Sequence, residues 1–79
     1  MSVSTSKKVI LYSDLTTANG IAYPAVSLSR IISAVAINGT NRTVAIESYN
    51  GDPVIRLKDS LTMAQVTDSN IKVRVYYLS

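Results

Sequence analysis

Two Asn-Gly dipeptides constrain this chain more than any other feature. Asn38-Gly39 and Asn50-Gly51 separate three short runs of alternating β-branched residues. Asn and Gly both tolerate the positive φ that a two-residue primed turn requires, so each dipeptide predicts a β-hairpin. The residues from Ile31 to Leu57 therefore predict a three-stranded antiparallel meander at the centre of the protein.

The register of the second turn can be tested, because a strand slipped by one residue turns its apolar side chains toward water. With Asn50-Gly51 as a two-residue loop, Ile46 faces Ile55 and Val44 faces Leu57. At the first turn, loops of two and of four residues bury the same face, so both registers stay open. The predicted core face comprises Ile31, Val35, Ile37, Val44, Ile46, Ile55 and Leu57.

The second face of the meander is mixed rather than polar. It carries small or apolar side chains beside charged ones such as Glu47, Arg56 and Lys58. Such a face is expected to contact a partner. The predicted subunit contact comprises Ile32, Ala34, Ala36 and Val54, with the residues 1–6 as a further candidate.

Strand patterns also occur on both sides of the meander. Lys7 to Tyr12 alternates, and Ile71 to Leu78 has one apolar and one cationic face, which predicts a central strand of a sheet. Ser27 to Ile37 fits either a helix or a strand, and its β-branched residues and missing capping box favour a strand. The sequence therefore predicts a flexible arm at 1–6 and one all-β domain at 7–79, a small antiparallel sandwich or barrel of five to six strands.

The length and composition favour self-association. The chain has 79 residues, 47% of them hydrophobic, and it contains no cysteine and no histidine. A domain of this size buries only about 60% of its unfolded surface, and it has neither disulfides nor a zinc site to stabilise it. Contact between copies is the remaining ordinary source of stability. No apolar run approaches the length of a membrane helix.

The residue types exclude most chemistry. Without histidine or cysteine, the usual general base and thiol nucleophile are missing. Four of the five acids fall in predicted turns, where Asp forms local hydrogen bonds. We therefore predict no catalytic residue, no metal site, no cofactor and no enzyme activity.

A net charge of +3 raises the alternative of nucleic-acid binding. Arg56 and Lys58 share one face of a strand, and Lys72, Arg74 and Tyr76 share a face of another. Cations interleaved with an aromatic ring are typical of an OB-like barrel that binds single strands. The cations occur singly, without a basic run, so solvated outward-facing side chains are the simpler interpretation.

The pattern of the second half resembles a known class of viral proteins. The sequence ISAVAINGTNRTVAIESYNG is followed by a polar loop and the strand KVRVYYL. Together they resemble the small Tyr-rich β modules of bacteriophage tail-fibre tips and virion decoration proteins. The resemblance covers Arg30 to Ser79. It implies a non-enzymatic, homo-oligomeric virion protein, commonly a trimer, which is made in the host cytoplasm and contacts other virion proteins or a host-surface receptor.

Loop residues provide the candidate recognition site. Exposed loops on a rigid β scaffold commonly carry binding groups, and Tyr with Asn supplies flat apolar area beside hydrogen-bonding groups. The predicted recognition loops contain Tyr23, Tyr49, Asn50 and Asp52, flanked by Asn19 and Asn70. The alternative is that these tyrosines pack against neighbouring strands and the asparagines only shape turns.

Overall fold

The computed structural model describes residues 8–79, and strands make up most of them. The elements are β1 (Ile10–Thr16), β2 (Ile21–Ala22), a 3₁₀ helix (Leu28–Arg30), β3 (Ile31–Ala36), β4 (Arg42–Tyr49), β5 (Asp52–Asp59) and β6 (Lys72–Leu78). The predicted all-β class is confirmed. The predicted arm at 1–6 lies outside the described residues.

The strands form two antiparallel sheets that pack against each other as a small sandwich. Sheet A has the order β1-β6-β3, and sheet B has the order β2-β5-β4. The strand β6 is central in sheet A, as its clean alternation predicted. Consecutive strands therefore fall into different sheets, except for β4 and β5.

The hairpin at Asn50-Gly51 forms as predicted. Asn50 and Gly51 have φ values of 52° and 85°, and Tyr49 pairs with Asp52 across the turn. Farther along the ladder, Val44 pairs with Leu57, which is the predicted register. The local turn signal was sufficient to define this pair of strands.

The first Asn-Gly turn does not form a hairpin, so the predicted central three-stranded meander is wrong. The strand β3 pairs with β6 in sheet A, whereas β4 belongs to sheet B. The backbone N–H of Ile37 donates to the carbonyl of Lys72 at 2.8 Å, and the N–H of Lys72 donates to Oδ1 of Asn38 at 2.7 Å. Asn38 thus extends the pairing with β6, and Gly39, at φ 95°, helps the chain cross to the other sheet.

A β-bulge changes which side chains of β3 face the core. The register with β6 shifts between Ile31 and Ser33, so Ile31 and Ala34 both lie half-buried against the core although they are three residues apart. Val35 therefore points outward and is 46% exposed. The predicted core positions Val35, Ile37 and Ile46 are wrong, because all three side chains are exposed.

The core is small. The buried hydrophobic residues are Ala22, Val54, Ile55, Leu57, Val73 and Val75. Thr17 is the buried polar residue, and its Oγ1 donates to the carbonyl of Asp68 at 3.0 Å and accepts from the N–H of Ile71 at 3.1 Å. These bonds satisfy the buried hydroxyl and attach the end of β1 to the segment that leads into β6.

Candidate assembly and recognition surfaces

One side of sheet A, here called face A, is turned away from the core and is largely apolar. Val73 and Val75 are 0% exposed, so the alternating side chains of β6 between and beside them point to face A. The pairing of β1 and β3 with β6 brings further side chains to this face. The large exposed ones are Ile10, Tyr12, Val35 and Ile37.

An ordered polar group occupies the centre of face A. Arg74 donates from Nε to Oδ1 of Asp14 at 2.8 Å and from Nη2 to Oδ2 at 3.1 Å. The guanidinium carbon lies 4.3 Å from the centroid of the Tyr12 ring, and the Tyr12 and Tyr76 centroids are 6.3 Å apart. The hydrogen bonds from Arg74 lower the pKa of Asp14. Arg74 and Asp14 are therefore paired within one copy, whereas Lys72, at the edge of this face, forms no ion pair among the described residues.

The corresponding side of sheet B, face B, has a different character. Glu47 accepts from Nε of Arg56 at 2.8 Å and lies 3.9 Å from Nζ of Lys58. The hydrogen bond from Arg56 is the main reason that the pKa of Glu47 is lowered. Val54 has its position on this face, but it is 5% exposed. Face B is charged, internally paired and has its central apolar side chain covered.

The structure does not bring the residues of the nucleic-acid alternative together. Arg56 and Lys58 lie on face B, whereas Lys72, Arg74 and Tyr76 lie on face A. Both arginines also bind carboxylates. The two basic groups point away from each other, because each is on the outer side of a different sheet.

The predicted subunit contact is not one exposed surface either. Ile32 is 48% exposed at the bulge, but Ala34 is half-buried against the core and Val54 is buried. Ala36 is half-buried as well. The sequence missed face A because the pairing of β1 with β6 has no local turn signal. The alternation of Ile10 and Tyr12 indicated only that they share one side of their strand.

The predicted recognition residues lie around an open cleft of about 450 Å³. One wall is the connection from β2 to β3, and the other is the hairpin turn of sheet B. Tyr23 and Asp52 line opposite walls, and Tyr49 pairs directly with Asp52 across the hairpin. Tyr23 and Tyr49 are 69% and 71% exposed, and Asn50 is exposed in the turn. The cleft lining comprises Tyr23, Pro24, Ala25, Val26, Ser27, Leu28, Gly51, Asp52 and Pro53.

Asn19 and Asn70 lie elsewhere. The N–H of Asn70 donates to the carbonyl of Thr17 at 2.8 Å, and the N–H of Asn19 donates to Oγ of Ser69 at 3.0 Å. Both asparagines have positive φ, 54° and 65°. Asn19 shapes the turn between β1 and β2, and Asn70 shapes the segment that precedes β6. Neither residue lines the cleft.

Within residues 8–79, no group of three or more His, Cys, Asp or Glu side chains is arranged to hold a metal ion. No helix within it is long and apolar enough to cross a membrane. Comparison with known proteins finds no matching family model, no similar curated protein and no similar solved structure.

Proposed function

We propose that this chain is a non-enzymatic structural protein that assembles with copies of itself through face A. The supporting observation is the exposure of Ile10, Tyr12, Val35 and Ile37 on one side of a single sheet. Their exposed fractions are 66%, 59%, 46% and 44%. Covering these side chains with a second copy would remove apolar surface from water, at about 25 cal/mol per Å².

The dimensions of face A suit packing against another sheet. Three strands about 4.8 Å apart, two of seven residues and one of six at about 3.4 Å per residue, span roughly 14 Å by 20–24 Å. The core beneath it contains few fully buried side chains, so a monomer gains little stability from its own interior. A second layer over face A supplies the apolar burial that the small core lacks.

The ion pair at the centre of face A is compatible with burial in an interface. A buried charge is costly when it is unpaired, whereas Arg74 and Asp14 already form two hydrogen bonds to each other. The pair also restricts how a second copy can dock, because an apolar side chain placed over it gains no hydrogen bond. We expect it to define the register of the assembly rather than its strength.

We further propose that the assembly is part of a bacteriophage particle. This rests on the resemblance of Arg30 to Ser79 to small virion β modules, which favours a trimer and contacts with other virion proteins. The host-surface receptor is the second partner that the resemblance implies. A particle component made in the host cytoplasm needs a surface for assembly, and face A provides a suitable one.

Two matched substitutions test the proposed contact. Val35→Glu places a carboxylate on face A directly opposite Arg74, and Thr43→Glu places one on face B directly opposite Lys58. Both positions lie on edge strands, so the variants differ mainly in the face they alter. We expect Val35→Glu to weaken self-association at least about thirtyfold, as for an interface hot spot, and Thr43→Glu to leave it unchanged.

Light scattering after size exclusion, at two widely separated concentrations, measures the association. A monomeric wild-type protein at micromolar concentration contradicts the proposal outright. Equal effects of the two glutamates contradict the assignment to face A. Circular dichroism of both variants establishes that they remain folded.

Nucleic-acid binding is less well supported, because the arginines concerned are paired with carboxylates on opposite sides of the molecule. Phosphate contacts make affinity fall steeply between about 50 mM and 200 mM salt. We expect labelled single-stranded DNA to show no such salt-dependent binding, while the mass of the assembly stays constant over the same range.

A further inference from the structure

We propose that the cleft between the β2–β3 connection and the Asn50-Gly51 turn binds a neutral saccharide. The cleft is formed by residues 23–28 on one side and by the end of the sheet B hairpin on the other. None of its lining residues belongs to face A, so the site is independent of the proposed assembly contact.

Aromatic surface is the first observation. Tyr23 lines the cleft and Tyr49 stands beside it, and both side chains are more than two-thirds exposed, at 69% and 71%. A tyrosine ring offers a flat apolar face and a hydroxyl that donates and accepts. The C–H face of a pyranose ring packs on such a surface while its hydroxyls remain free to bond.

The second observation is that the side chain of Asp52 has no partner in the described part of the chain. Asp14, Glu47, Asp59 and Asp68 all form ion pairs with arginine. Asp52 forms no ion pair or side-chain hydrogen bond among the described residues, and it lines the cleft. Its carboxylate is therefore available to accept two hydrogen bonds from neighbouring hydroxyl groups of a ligand.

Unpaired backbone groups are the third observation. The N–H groups of Ala25, Val26 and Ser27 donate no hydrogen bond within residues 8–79, and all three residues line the cleft. They can donate to a ligand, whereas Asp52 can only accept from one. A polyol satisfies both kinds of group, because each hydroxyl donates one hydrogen bond and accepts others.

The same chemistry disfavours other ligands. No lysine or arginine of residues 8–79 lines the cleft, so Asp52 repels an anionic sugar or phosphate. A cationic group only donates, so it cannot accept hydrogen bonds from the three N–H groups. Pro24 and Pro53 each remove a backbone N–H donor from one wall, which disfavours pairing with an added peptide strand.

The test uses the full chain labelled with ¹⁵N, titrated with neutral trisaccharides built from glucose, galactose or N-acetylglucosamine. A sialylated trisaccharide and a short arginine-containing peptide serve as the anionic and cationic probes. We expect at least one neutral trisaccharide to shift amide resonances of residues 25–28 and 49–52 at millimolar concentration. Both charged probes are expected to bind more weakly.

Three variants locate the binding. Tyr23→Ala and Asp52→Asn should each weaken the affinity about tenfold, through loss of ring packing and of charge-assisted hydrogen bonds. Leu61→Ala removes a side chain that is 80% exposed and does not line the cleft, and it should leave the affinity unchanged. The resonances outside the cleft report whether each variant remains folded.

The outcomes separate this proposal from the proposed function. Absence of shifts with every neutral trisaccharide, shifts confined to other residues, or undiminished binding by Tyr23→Ala and Asp52→Asn overturns the saccharide site. Stronger binding of the peptide or of the sialylated probe overturns the ligand class. An oligomer that binds no sugar supports the assembly proposal and contradicts the saccharide site. A monomer that binds sugar in the cleft supports the saccharide site and contradicts the assembly proposal.

Discussion

The two sheets of this protein differ in how their strands are connected and in the side chains on their outer sides. Sheet B contains the only hydrogen-bonded strand pair joined by a two-residue turn among the described residues, and its outer side carries paired charges. Sheet A joins strands from three distant parts of the chain, and its outer side carries exposed apolar groups around one ion pair. The β4–β5 pair of sheet B is locally encoded, whereas both strand pairs of sheet A need remote pairing and its outer side leaves large apolar side chains exposed.

The largest expected effect is a difference in the loss of folding stability between substitutions on the two sides of sheet A. Val75 is 0% exposed on β6, and Val35 is 46% exposed on the neighbouring strand. Val75→Ala should lower the free energy of unfolding by about 2 kcal/mol, because it leaves a cavity in a core with few other buried groups. Urea unfolding at a concentration where the protein is monomeric measures this difference.

Val35→Ala is the matched control, since it removes the same methyl groups from the outward side. It should change the free energy of unfolding of the monomer by less than about 0.5 kcal/mol. Equal losses for the two variants would show that face A is already covered within one copy, and the contrast between the sheets would fail.

An intermediate effect is expected at the turn of sheet B. Gly51 has φ 85°, and an added Cβ at this position would meet no atom within 4 Å. Gly51→Val should therefore cost about 1–2 kcal/mol, entirely through backbone strain, because a β-branched residue resists positive φ. The change in melting temperature reports the loss.

Gly51→Asn sharpens this result, because asparagine adopts positive φ at a much lower cost than valine. It should retain most of the wild-type melting temperature. If valine is tolerated as well as asparagine, the local turn does not hold sheet B together.

The smallest expected effect is a loss of folding stability at acidic pH. The pKa values of Asp14 and Glu47 are lowered in the folded protein from ordinary values of 3.8 and 4.5. Their ion pairs therefore stabilise the fold above those values, and this contribution is lost as the pH falls through the lower folded pKa values. Urea midpoints measured across this range should fall with acid, and less steeply in Asp14→Asn and Glu47→Gln.

The same two variants distinguish the faces. Asp14→Asn leaves the charge of Arg74 without its counterion at the centre of face A, so self-association should weaken. Glu47→Gln removes a carboxylate from face B and should leave association unchanged. A larger effect of Glu47→Gln on assembly would place the contact on sheet B.

What the sequence predicted well was local. The Asn50-Gly51 turn needs only its own two residues to adopt positive φ, and the alternation of β4 and β5 then defines the register. The alternation of β6 likewise indicated a central strand. The all-β class follows from these short patterns, which depend on neighbours along the chain.

What the sequence could not predict depends on competition between remote strands. The strand β3 had an adjacent partner in β4, yet it pairs with β6, about 40 residues farther along. The bulge at Ile31 to Ser33 then reverses the faces of β3, which no alternation rule detects. For the candidate site, Tyr23 and Asp52 were singled out from their loops, but their meeting in one cleft depends on how residues 23–28 pass the hairpin.

The central position of β6 has a consequence for the order in which the protein can fold during synthesis. All strands of sheet B precede residue 60, so they leave the ribosome before β6 does. β1 and β3 also leave earlier, but they flank a strand that is not yet available to pair with them. Until residues 72–78 emerge, two apolar strands lack their hydrogen-bonding partner, and this interval is when a nascent chain is most prone to aggregate or to bind a chaperone.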